Sequence, residues 1–160
     1  MAARDIAGCM QNVRTMLGGL SAWRTICGVD NATEATDRIY YGGVEENEEV
    51  DGTLAPCIIL DVETNEGFWN GGTLIGPLVV ELRIFIVCPN ENQETFGDRY
   101  LWVWQQASAI EAGINSNIRD GGQLAVDDVA YPNKPAQVDP DDNNGRDEWL
   151  IHMHIRIGLV

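Results

Sequence analysis

Trp149, Ile151, Met153, Ile155, Ile157 and Leu159 alternate strictly with a second set that contains His152, His154 and Arg156. Period two is the period of a β-strand, whose successive side chains point to opposite faces. A strand of this kind is stable only when its apolar face is covered. The chain must therefore supply partner strands and a layer to pack on them.

Partners are visible upstream. Pro56 opens a segment in which Ile58, Leu60 and Val62 share one face and Asp61 and Glu63 the other. Leu78, Val80, Leu82, Ile84, Ile86 and Cys88 alternate with a set containing Glu81 and Arg83, and Pro89 stops that strand. Asn70-Gly71-Gly72 between them is a hairpin-turn signal. The two strands are expected to pair antiparallel, with even-numbered core residues opposite even-numbered ones. Cys57 is odd and Cys88 even, so without a bulge they fall on opposite faces and cannot bridge. Arg38–Tyr41 and Leu124–Val129 read as short strands.

Two amphipathic helices can cover this sheet. In residues 2–18, Ile6, Met10, Val13 and Leu17 form one stripe. In residues 96–118, Tyr100, Trp104, Ala107, Ile110, Ile114 and Ile118 form another, reinforced by Leu101 and Val103. Thr95-Phe96-Gly97-Asp98 resembles a capping box at its start. Leu20–Ala35 reads as an irregular connection with buried anchors at Trp23, Ile26 and Val29. Residues 132–147 read as a long polar connection, since they hold three of the six prolines. The expected fold is α+β: a mostly antiparallel sheet, two main helices packed on one face, and an extended β-hairpin.

Length and charge narrow the function. The chain has 160 residues, which suits a single domain over 1–160. Its formal charge is −15, which excludes binding nucleic acid by phosphate neutralisation and argues against anionic membranes. The first residues carry no secretory-signal pattern, and no apolar run is long enough to span a bilayer. The four cysteines are scattered, which fits thiols in a reducing compartment.

Motifs for chemistry are sparse. His152 and His154 point the same way on the final strand, but a catalytic zinc needs about three protein ligands. Nothing beside them in the sequence completes a set, so they read as a solvated or salt-bridged face that meets Glu81 if the strands are neighbours. Asp139–Leu150 imitates a calcium loop without its glycine spacing or its closing glutamate. The serines lack a nucleophile elbow and no phosphate-binding glycine pattern follows a strand. The expectation is no enzyme, no cofactor and no metal. Surface for assembly remains. Phe68, Trp69, Leu74 and Ile75 flank the hairpin tip, where large apolar residues are unusual in water. Trp102, off the helix stripe, is expected to be exposed in a lone monomer.

This layout resembles the tail terminator (tail completion) proteins of tailed bacteriophages, the family typified by the minor tail protein U of lambda-like phages. The resemblance covers nearly the whole chain. It rests on the N-terminal helix, the Pro56-Cys57-Ile58-Ile59-Leu60 strand and the long strand ending Val87-Cys88-Pro89. The Trp-bearing helix from Asp98-Arg99-Tyr100-Leu101-Trp102 and the aromatic-led strand from Glu148-Trp149 complete it. It implies a non-enzymatic virion protein of the tail and neck, assembled in the host cytoplasm. Six copies would form a ring on the last ring of the tail tube, stop its polymerisation and present a surface to the head connector or stopper. In contractile-tailed phages the sheath is a further contact. Genomic DNA would pass through without specific binding, and the acidic residues Glu45, Glu46, Glu48, Glu49, Asp139, Asp141 and Asp142 are candidates to line the channel. The rival readings are another neck protein, such as a stopper or head–tail connector, and an acidic DNA mimic.

Overall fold

A computed structural model describes residues 6–42, 55–63, 68–70, 73–75, 78–89, 95–119, 128–141 and 148–159. The chain is α+β. Helices α1 (Ile6–Gly19), α2 (Ser21–Cys27) and α3 (Ala32–Thr36) precede strands β1 (Ile39–Tyr41), β2 (Cys57–Glu63), β3 (Phe68–Asn70), β4 (Thr73–Ile75) and β5 (Leu78–Val87). Helix α4 (Phe96–Arg119) and strands β6 (Asp128–Asp141) and β7 (Glu148–Leu159) follow.

Five strands form one sheet in the order β1-β2-β5-β7-β6. β1 lies parallel to β2, and every other neighbouring pair is antiparallel. The expected parity holds: Ile58 faces Ile84, Leu60 faces Leu82 and Val62 faces Val80. All four cysteines are thiols.

The helices cover one face of this sheet. Cys9, Met10, Val13, Met16 and Leu17 of α1 and Trp23 of α2 meet Val103, Ala107, Ile110 and Ile114 of α4. They share a core with Ile58, Leu60, Val80, Leu82, Ile84 and Ile86 of the hairpin and Trp149, Ile151, Met153 and Ile155 of β7. Burying side chains of this size contributes about 1.5–3 kcal/mol each.

The segment after α1 is not an irregular connection. Leu20 alone separates α1 from α2, and Asn31 starts α3 by accepting the Glu34 amide at 2.8 Å. Gly28 ends α2 in the left-handed conformation (φ 67°), where its N–H reaches the carbonyls of Arg24 and Thr25. Trp23 is the buried anchor expected here, and its indole N–H is satisfied by the Ala35 carbonyl at 3.0 Å. Arg14 of α1 holds the end of α3 and the start of β1, donating to the carbonyls of Thr36 and Ile39 at 2.9 Å each.

Residues 132–141 are likewise strand rather than connection. β6 runs along β7 from Asp128 to Asp141, with register shifts between Pro132 and Lys134 and between Lys134 and Gln137. Proline lacks the ladder N–H and is tolerated on an edge strand or at a bulge. β6 is an edge strand and carries both irregularities.

Helix α4 occupies the expected span, but its stripe is rotated. Val103, Ala107, Ile110 and Ile114 are buried, whereas Tyr100 and Leu101 are exposed. Trp149 lies beneath the first turns of the helix, fully buried, and Phe96 and Tyr100 cover it from outside with tilted rings, centroids 5.4 and 6.2 Å away. No helix is long and apolar enough to cross a membrane among the described residues.

Candidate functional site

Two features stand apart from the core. The first is the hairpin tip. Beyond the main sheet, β3 and β4 pair as a separate two-stranded ribbon, with Phe68 opposite Ile75 and Trp69 opposite Leu74. Even-numbered positions face odd-numbered ones here, whereas even faces even in β2–β5, so the register changes by one residue between sheet and tip. The ribbon makes no extensive contact with any other described element. An isolated two-stranded hairpin is marginally stable in water, and one carrying four large apolar residues gains most from a further surface.

Close to this in character is an aromatic patch at the start of α4. Phe96 is 56% exposed and Leu101 61%. Tyr100 lies between Phe96 and Trp104, with ring centroids 6.3 Å from each. Trp102, expected to be exposed, is instead half-buried against the core. The exposed apolar surface of this helix therefore sits at Phe96, Tyr100 and Leu101. Choosing the stripe through Val103, four and seven residues before Ala107 and Ile110, was the signal that separates the two faces.

The second feature is polar and lies on the sheet face away from the helices. That face is buried at Cys57, Ile59 and Val79, yet half-buried at Glu81, Arg83, His152 and His154. Glu81 of β5 stands directly opposite His154 of β7, and Arg83 opposite His152. The sequence pattern placed the two imidazoles together; the strand order adds the carboxylate. Arg83 Nε donates to Glu81 Oε1, and His152 Nε2 lies 3.1 Å from the same oxygen. The imidazole rings are 4.8 Å apart between centroids. Burial of Glu81 opposes its charge, but the hydrogen bond and charge of Arg83, joined by His152, outweigh it and hold the carboxyl below its ordinary range.

A groove between α2 and α4 is lined by Ser21, Arg24, Thr25, Gln106 and Ser116 among small residues. It brings together no acid, imidazole or thiol among the described residues.

The acidic candidates divide. Asp139 and Asp141 sit on the edge strand β6, opposite Leu150 and Glu148. Glu45, Glu46, Glu48, Glu49 and Asp142 lie outside the described residues. Compared with known proteins, the chain matches no family model and no curated protein.

Proposed function

We propose that this chain is an architectural component of a tailed-phage virion, a tail terminator that assembles as a ring, six copies to a turn, on the end of the tail tube. The observation that carries this reading is the β3–β4 ribbon of apolar sequence, which pairs apart from the main sheet and makes no extensive contact with the other described elements. A hairpin of this composition fits the surface of a neighbouring copy. One patch meeting a different patch on the next subunit is a heterologous contact, and such contacts close into a ring when the rotation per copy divides a full turn. The exposed Phe96, Tyr100 and Leu101 add apolar surface of the kind enriched at interfaces.

Stopping a polymer requires one face that matches the growing end and another that does not. A ring built this way satisfies its lateral contacts internally and leaves its two axial faces for different partners: the tube protein on one side, the head connector or stopper on the other, and the sheath in contractile tails. The formal charge of −15 per chain, repeated around a channel, repels DNA phosphates and keeps the genome from adhering as it passes. Asp139 and Asp141, or the Glu45–Glu49 run, supply that charge on the lumen. Neutralising whichever lines the channel should slow ejection; faster or unchanged ejection counts against the assignment.

Native mass spectrometry of the purified protein, with and without tube ends, tests the ring. A hexamer is expected in the wild type and subunits alone in Trp69→Asp. An unchanged monomer in both, even with tubes present, would overturn the reading.

A further inference from the structure

We propose that Glu81, His152 and His154 form a binding site for a divalent first-row cation of the zinc type. The inference is independent of the ring and of any virion role. It starts from strand geometry. Two residues apart on β7, the imidazoles share one face, and the β5–β7 register sets the Glu81 carboxylate against His154. One donor atom from each of the three lies within 4.8 Å of the others.

The donor set selects the ion. Two imidazole nitrogens and one carboxylate oxygen form a set that holds zinc with a position left for water. Calcium and magnesium favour all-oxygen shells, so the imidazoles disfavour them. Tetrahedral zinc with bonds of about 2.0–2.1 Å sets its donors about 3.4 Å apart, so the three side chains close inward by about 1 Å on binding. The site is half-buried, with side-chain exposures of 27% for His152 and 17% for Glu81. An ion can reach it, while the surrounding strands limit solvent screening.

A second observation concerns His152. Its Nε2 is shielded from solvent and makes no hydrogen bond, although the Glu81 oxygen is 3.1 Å away. The contact has the distance of an ion pair. A cation between this nitrogen and the carboxylate gives the imidazole a partner. Arg83 is the competing cation, since its guanidinium holds Glu81 Oε1. Binding exchanges the guanidinium for the metal on one carboxylate, and Arg83 can swing to solvent because its side chain is 39% exposed. The metal then clips β5 to β7.

Isothermal titration of the untagged protein with zinc, in excess magnesium to saturate the acidic surface, tests the site. One zinc per chain is expected. His152→Ala, His154→Ala and Glu81→Gln should each weaken binding at least tenfold, with circular dichroism confirming that each variant folds. Arg83→Gln should tighten it several-fold, an effect that damage to the fold would not produce. Cobalt in place of zinc should give a visible absorption band that His154→Ala abolishes. Zinc binding that magnesium displaces, or that survives loss of both histidines, would overturn the proposal, as would weaker binding in a folded Arg83→Gln.

Discussion

The indole N–H of Trp23 donates to the carbonyl of Ala35 at 3.0 Å, and both residues are buried. One side chain thus fills the core between α1 and α4 and adds a second donor to a carbonyl in the last turn of α3. Trp23→Phe keeps most of the volume but removes one hydrogen bond to the carbonyl, which still accepts the Arg38 amide at 3.3 Å, at a cost of about 0.5–1.5 kcal/mol. Trp23→Ala should cost about 3–5 kcal/mol through the cavity. Urea denaturation, with equal slopes for both variants, checks the difference.

Gly18 and Gly113 separate helix propensity from packing. A methyl on Gly18 would overlap the Thr36 hydroxyl and lie 2.9 Å from its Cβ, because α3 crosses α1 there. At Gly113 the nearest atom is the flexible end of Leu20, at 3.1 Å. Alanine is favoured over glycine in a helix by about 1 kcal/mol. Gly113→Ala should therefore fall within about 1 kcal/mol of the wild type. Gly18→Ala should destabilise by about 1–3 kcal/mol despite its better propensity. Thermal melts of Gly18→Ala with and without Thr36→Ala should show partial recovery in the double variant.

Helix α4 begins with a reciprocal cap. The Asp98 amide donates to Thr95 Oγ1 at 3.1 Å, and the Thr95 amide donates to Asp98 Oδ2 at 3.3 Å. Thr95→Ala should cost about 1 kcal/mol, and Thr95→Ser much less. Adding Asp98→Ala to Thr95→Ala should cost less than the two single effects combined, since the pair acts as one unit.

Cys57 and Cys27 give stability a defined dependence on alkaline pH. Burial, with the nearby charge of Glu148 and partly offset by Arg38, pushes the Cys57 thiol up to about 12; burial raises Cys27 to about 11. In the unfolded chain both lose their protons near their ordinary value of 9.0. The folded state then binds more protons than the unfolded state, so stability is complete below pH 9 and falls as pH rises toward the folded values. Cys57→Ala should flatten that decline. At pH 8, iodoacetamide should leave Cys57 unmodified in the native protein and label it in urea.

Much of this fold is legible because its strands alternate and its long helices repeat. That even positions of β2 face even positions of β5 follows from parity, although the particular register does not, and β7 follows from the alternation from Trp149 to Leu159. The errors have physical causes. Pro132, Pro135 and Pro140 read as a connection because proline excludes a central strand, yet β6 lies at an edge. The helices α2 and α3 are too short for periodicity, although Asn31-Ala32-Thr33-Glu34 was a capping signal for the second. In α4, Tyr100 and Leu101 entered the stripe because apolar character does not reveal that Trp149 already fills the space below. The polar cluster was half legible: His152 and His154 share a face by spacing, but Glu81 joins them only through strand order, which no local pattern encodes.

Negative-stain microscopy of the purified protein mixed with polymerising tail tubes tests the architectural role most directly. Rings capping one end of each tube, with elongation halted at that end, are the expected result. Tubes that grow unchecked at both ends, with no density from this protein on either, would contradict it.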